Sequence, residues 1–171
     1  MRCLTLVAAV LLAASPAALF AQESTHVGEV YSDGAWTVNI YQDEDGALSC
    51  ISEVSSELAT LAIWAYESGE IYVNVASDNW GFDPAAETFE IEIDESGSWS
   101  LDNPDINDGS VFVELADNEE SVKFLTEVAG GKIAYLRNPA GELLAEPFSL
   151  EGSQNSMLAM SGCIDGLTTT E

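Results

Sequence analysis

The sequence predicts a mainly β domain: an antiparallel sandwich or open barrel of about nine short strands, with two short helices at its edges. Three observations carry this reading. Turn residues recur about every 8 to 12 residues through the first two thirds of the chain. One segment, Thr88 to Asp94, alternates strictly, with Phe89, Ile91 and Ile93 on one side and Glu90, Glu92 and Asp94 on the other. After Asn118 the apolar spacing changes from strand to helix period.

The chain begins with an export pattern. Arg2 supplies a positive start, Cys3 to Phe20 carry no charge, and Ala21 offers a small residue before the polar switch at Gln22. Residues 1–21 therefore read as a cleavable signal peptide, and removal leaves 150 of the 171 residues, enough for one domain with a real core. Residues 22–33, which include His26, are polar and read as a flexible N-terminal lead. Residues 34–164 read as a single β-rich domain, and 165–171 as a frayed tail.

Within the domain, Trp36, Val38 and Ile40 alternate with polar residues as a first strand, and Asp43-Glu44-Asp45-Gly46 turns it into a second strand from Ala47 to Val54. Thr60–Tyr66 and Ile71–Val75 form the next pair around Glu67-Ser68-Gly69-Glu70. Ser77–Ala86 is a longer loop. Thr88–Asp94 and Ser98–Leu101 are strands, Asp102–Gly109 a polar loop, and Ser110–Ala116 another strand. Asn118 caps a helix whose apolar positions are Val122, Leu125, Val128 and Ala129, and Gly130-Gly131 ends it. Lys132–Asn138 and Glu142–Leu150 pair across Pro139-Ala140-Gly141, and Ser153 caps a last helix running to Cys163.

Charge and cysteine count restrict the chemistry. The chain has 30 Asp and Glu against 4 Lys and Arg, a net charge of −26, which becomes one lower, −27, when Arg2 leaves with the signal peptide. Nucleic-acid binding and docking on an anionic membrane both require Lys and Arg and are not expected. A basic protein or cations are the partners such a surface suits. The same charge also serves solubility, especially in a saline habitat that screens self-repulsion. Once Cys3 is removed, Cys50 and Cys163 are the two remaining cysteines, and in an oxidising compartment they are expected to bond. The expected location is periplasmic or secreted, in a Gram-negative bacterium of marine or halotolerant habit, and the expected state is a monomer.

No catalytic residue is assigned. One histidine is too few for the usual nucleophilic sites, and the sequence contains no GxSxG, Walker A or GxGxxG pattern. Carboxylate chemistry remains. Glu90 and Glu92 share a strand face, and Trp64, Trp80 and Trp99 offer stacking surfaces, the ingredients of a glycosidase. Calcium is the alternative and the one cofactor that the acidic segments suggest. Asn103, Asp105, Asn107 and Asp108, followed by Glu114, echo the ligand spacing of an EF-hand loop. Asp108 stands where that loop needs glycine, and strands flank it, so the expectation is a loose surface site, with Asp43 and Asp45 as a second one. Trp80 and Phe82 are the aromatic anchors expected in an exposed loop.

Two segments resemble a known group. Gly34-Ala35-Trp36-Thr37-Val38 opens the domain ahead of Cys50, and Pro147-Phe148-Ser149-Leu150-Glu151-Gly152-Ser153 leads into the helix ending at Cys163. This is similar to the invasion-associated locus B-like group of small exported alphaproteobacterial proteins. The resemblance implies a single β-rich periplasmic domain with no catalytic residue to carry over. The functional expectation is a non-enzymatic exported binding or envelope-accessory domain. N-terminal sequencing of the exported protein should begin at Gln22; an intact Met1 start would rule out cleavage.

Overall fold

The computed structural model describes residues 24–77, 88–94, 97–102, 104–107 and 109–168. The chain opens with β1 (Thr25–Asp33), β2 (Trp36–Gln42), β3 (Leu48–Ser55), β4 (Thr60–Tyr66) and β5 (Ile71–Ala76). Then come β6 (Thr88–Ile93), β7 (Ser98–Asp102), β8 (Asp105–Asn107), β9 (Ser110–Glu114) and α1 (Glu119–Gly130). β10 (Ile133–Arg137), β11 (Phe148–Ser149) and α2 (Ser153–Thr168) complete it. The strands form two open antiparallel sheets, a large one ordered β1-β2-β3-β4-β5-β9-β8 and a small one ordered β11-β10-β6-β7. Of the two architectures that the alternation allows, the sandwich is the one found.

The small sheet covers only part of the large one. Leu61 and Val75 of the large sheet meet Ile91, Ala134, Leu136 and Phe148 of the small one. α2 lies over the remaining inner surface, against β1, β2, β3 and β4. Alternation along β3 explains its place. Cys50, Ser52 and Val54 are buried on the inner side, and Cys50 bonds to Cys163 of α2 with Cα atoms 6.2 Å apart. Two residues along the strand from Cys50, Ser52 Oγ and Ser156 Oγ share a buried hydrogen bond of 2.8 Å. Trp36, fully buried, donates its indole N–H to Ser149 O at 3.0 Å and so ties β2 to β11.

α1 packs beside α2. Asn118 is extended, and its side chain accepts from Ser121 N at 2.9 Å, as an N-cap does. Phe124 and Val128 are its buried residues, while Val122, expected to face inward, is 62% exposed. The spacing of Phe124 and Val128, one helical turn apart, sets the apolar stripe. Trp99 lies beneath this helix. Its indole donates to Glu127 Oε2 at 2.7 Å, Lys123 Nζ sits 5.0 Å from its ring centre, and Phe124 meets it edge-on.

Ser153 does not cap its own helix. Its buried hydroxyl donates to Val128 O and Ala129 O, satisfying carbonyls left open at the end of α1. Gly131 is required for a different reason from the helix stop assigned to it. A Cβ there would lie 2.8 Å from both Ile93 Cγ2 and Leu150 Cδ1 and 2.9 Å from Glu127 O.

Several boundaries differ from expectation. Residues 25–33, read as part of a flexible lead, form edge strand β1. Its register shifts between His26 and Gly28 and again between Glu29 and Tyr31, and those bulges erase the alternation that would have revealed it. β8 lies within the expected loop and is too short to show a period. The strand expected over Glu142–Leu150 contracts to β11 and a bridge between Arg137 and Leu143, with Pro147 lacking an amide proton for a longer ladder. α2 continues through the expected tail to Thr168, whose hydroxyl donates back to Ile164 O and Asp165 O.

The bridge spans 113 positions of sequence, so it removes much of the freedom of the unfolded chain. Reduction, or Cys163→Ser, should lower unfolding stability by about 2 to 5 kcal/mol. Urea unfolding with and without reductant measures this; an unchanged midpoint would contradict it.

Candidate functional site

The outer face of the large sheet carries a band of aromatic rings. Pairing places it: Tyr41 on β2 opposes Ser49 on β3, Ser49 opposes Tyr66 on β4, Trp64 opposes Tyr72 on β5, and Asn74 opposes Phe112 on β9. All five rings are half-buried. They touch in sequence. Tyr41 and Trp64 have centres 5.9 Å apart, Trp64 and Tyr66 6.4 Å, and Trp64 and Phe112 5.7 Å. Tyr66 meets Tyr72 edge-on at 5.8 Å. These are offset-stacked and edge-to-face contacts, which hold each ring in place.

The band ends at β1 in a hydrogen-bonded network. Asn39 Nδ2 donates to Glu53 Oε1 at 2.8 Å and to Thr37 Oγ1 at 3.3 Å. A carboxylate can only accept, so the amide orientation is set, and Asn39 Oδ1 accepts from His26 Nε2 at 3.2 Å. The His26 ring also meets Tyr41 edge-on at 5.3 Å. The lone histidine is thus part of the sheet rather than of a loose lead.

Carboxylates border the band and shape its electrostatics. Burial and then Glu53 push the Tyr41 hydroxyl above its usual range. Tyr66 is pushed up to about 12 by burial, with Asp43, Tyr72, Glu70 and Asp45 adding to it. Tyr72 is raised by burial, Glu114 and Glu70. Asp43, buried in the turn after β2, is itself raised by burial and by Asp45. All the tyrosines of the band therefore feel negative charge. Two polar atoms in this layer, Ser49 Oγ and Trp64 Nε1, are buried without a hydrogen-bond partner among the described residues.

The residues expected to form a site are scattered. Trp64 faces outward on the large sheet, whereas Glu90 and Glu92 alternate with the buried Phe89, Ile91 and Ile93 on the small one. Glu92 is bound by Arg137 Nε at 2.5 Å, and Trp99 serves the packing of α1. The glycosidase set is not brought together among the described residues. Asp43 and Asp45 do share one turn, where Asp45 Oδ1 accepts from Ala47 N at 3.2 Å. Asp105 lies on β8 and Glu114 on β9; the backbone of Asn107 is in β8, and Asn103 and Asp108 fall outside the described residues. No group of three or more His, Cys, Asp or Glu among the described residues is placed to hold a metal ion. Trp80 and Phe82 also lie outside the described residues.

The aromatic band is legible in part from the sequence. Thr60–Tyr66 is apolar on both faces, Leu61, Ile63 and Ala65 on one and Ala62, Trp64 and Tyr66 on the other. Such a strand is covered on both sides or presents an aromatic surface.

No family model matches the chain, and no curated protein matches it at a significant level. A solved structure does. The crystal structure of invasion associated protein B from Bartonella henselae aligns with a TM-score of 0.53 at 12% identity, over 78% of this chain and 96% of that one. The two share a fold.

Ionisation of Asp43 is disfavoured in the folded state, so it costs stability above the raised pKa. The cost disappears as pH falls and the carboxyl protonates in both states. Asp43→Asn should therefore raise stability at pH 7 by up to about 1 kcal/mol. The gain should shrink as pH falls through the raised pKa of Asp43 and be gone below about pH 4. Thermal melts at the two pH values test this; a destabilised variant at pH 7 would contradict it.

Proposed function

We propose that this chain is an exported, non-enzymatic binding domain related to the invasion-associated locus B-like group. Its contact surface is the aromatic outer face of the large sheet. The observation that carries this reading is the continuity of the band. Five rings from β2, β4, β5 and β9 lie in one layer, on the face opposite that covered by α2 and the small sheet. Aromatic residues are the anchors of protein interfaces, because they offer large contact area at small entropic cost. The sandwich beneath keeps them in fixed positions.

Export is supported by the disulfide, which an oxidising compartment permits. No described helix is long and apolar enough to cross a membrane. The likeness to the Bartonella protein extends along most of both chains and supports the group assignment through the fold.

Hydroxyl-radical footprinting tests the surface whatever the identity of the partner. Labelling in intact cells should be weaker than in purified protein at Tyr41, Trp64 and Tyr72, and unchanged at Tyr135 and Leu158. Equal labelling at all five positions would remove the aromatic face as a contact surface.

A further inference from the structure

We propose that the occupant of the aromatic face is an arginine-rich extended polypeptide segment, laid across the strands from β2 to β9. This rests on the reading of that face as a contact surface. It adds the chemistry of the partner, which follows from where the charges lie.

The described cations are all elsewhere. Lys123 is on α1, Lys132 follows it, and Arg137 is on β10, bound to Glu92. The aromatic face carries no lysine or arginine among the described residues. It carries Glu53 on β3 and Glu114 on β9, with Glu70 in the turn before β5 and Asp43 and Asp45 in the turn after β2. Glu53 is half-buried and accepts from Asn39, whereas Glu70 and Glu114 are exposed and Ser68 engages only one oxygen of Glu70, so the carboxylates at the β5 and β9 side are the ones open to a partner. The surface combines apolar rings, phenolic oxygens and carboxylates. Its complement is a flat cation that can lie against rings while its N–H groups donate to oxygens. Arginine has that form: its guanidinium is planar, weakly hydrated and able to bond carboxylates through two N–H groups. Lysine presents a compact, strongly hydrated charge and matches the rings less well.

Dimensions agree with a peptide. Four strand spacings separate β2 from β9, a distance of roughly 19 Å. An extended chain covers that with about six residues, at about 3.3 Å each. Negative charge over the whole molecule would add a long-range attraction and speed encounter, but only contacts on this face would be sensitive to single residues.

The test is calorimetric titration of the full exported chain with octa-arginine and with octa-lysine at low and high salt. Octa-arginine should bind, several-fold more tightly than octa-lysine, and more weakly at high salt. The double variant Glu70→Gln/Glu114→Gln should lose at least fivefold in affinity, and Tyr72→Ala should also weaken binding. The control Glu120→Gln/Glu146→Gln removes the same charge from exposed positions on α1 and the loop before β11, and should bind as the parent does. Circular dichroism confirms that each variant is folded. Equal losses in both double variants would overturn the proposal, since they would reflect net charge alone. So would absence of binding at low salt, or binding of uncharged cellohexaose in place of octa-arginine. Footprinting protection in cells with no arginine-peptide binding would leave the contact surface standing and remove its cationic partner.

Discussion

Strand β3 can be buried on both faces only while α2 is held against it. Its inner residues Cys50, Ser52 and Val54 include a serine hydroxyl and a sulfur, and both have partners in the helix: Ser156 and Cys163. A serine buried there without Ser156 would lose hydrogen bonds to water and gain none. α2 in turn has Ser153, Ser156 and Met160 as its buried residues. Met157, Ile164 and Leu167 pack partly buried against the core beside them, so the helix is held by an apolar stripe together with specific polar and covalent links. The same helix start carries Ser153, which closes the end of α1. One short stretch therefore joins both helices and the large sheet.

With the inner face filled in this way, the outer face of the large sheet is left to organise itself. Cross-strand aromatic contacts do so, each contributing some tenths of a kcal/mol to about a full kcal/mol. The acids beside them act in the opposite sense, since Asp43 is desolvated and is repelled by Asp45. Stabilising rings and destabilising charge thus occupy the same layer. Such opposition is common where a surface is kept for contact instead of for stability.

The sandwich is readable in the sequence because its central strands obey the period of two, as Thr88–Asp94 shows most plainly. β1 is not, because two bulges interrupt the period, and β11 is not, because two residues have none. The bridge follows from the cysteine count once Cys3 is set aside. The site is harder to read. Trp64 stands out, yet alongside Glu90, Glu92 and Trp99, which belong to another sheet. Its true neighbours, Tyr41, Tyr66, Tyr72 and Phe112, become visible only with the pairing register, which sequence spacing alone does not supply. His26 goes astray together with the strand that holds it.

The bridge between Cys50 and Cys163 also closes a covalent ring within the chain. Everything from β4 through most of α2 lies inside the ring, including the small sheet and α1. A single proteolytic cut within the 113-position span leaves both pieces joined through sulfur, and the molecule keeps its mass apart from one added water. Damage to a loop there would pass unnoticed on a non-reducing gel, while a cut in β1 or β2 would release a fragment at once on denaturation. Proteases can thus nick most of this domain without dividing it.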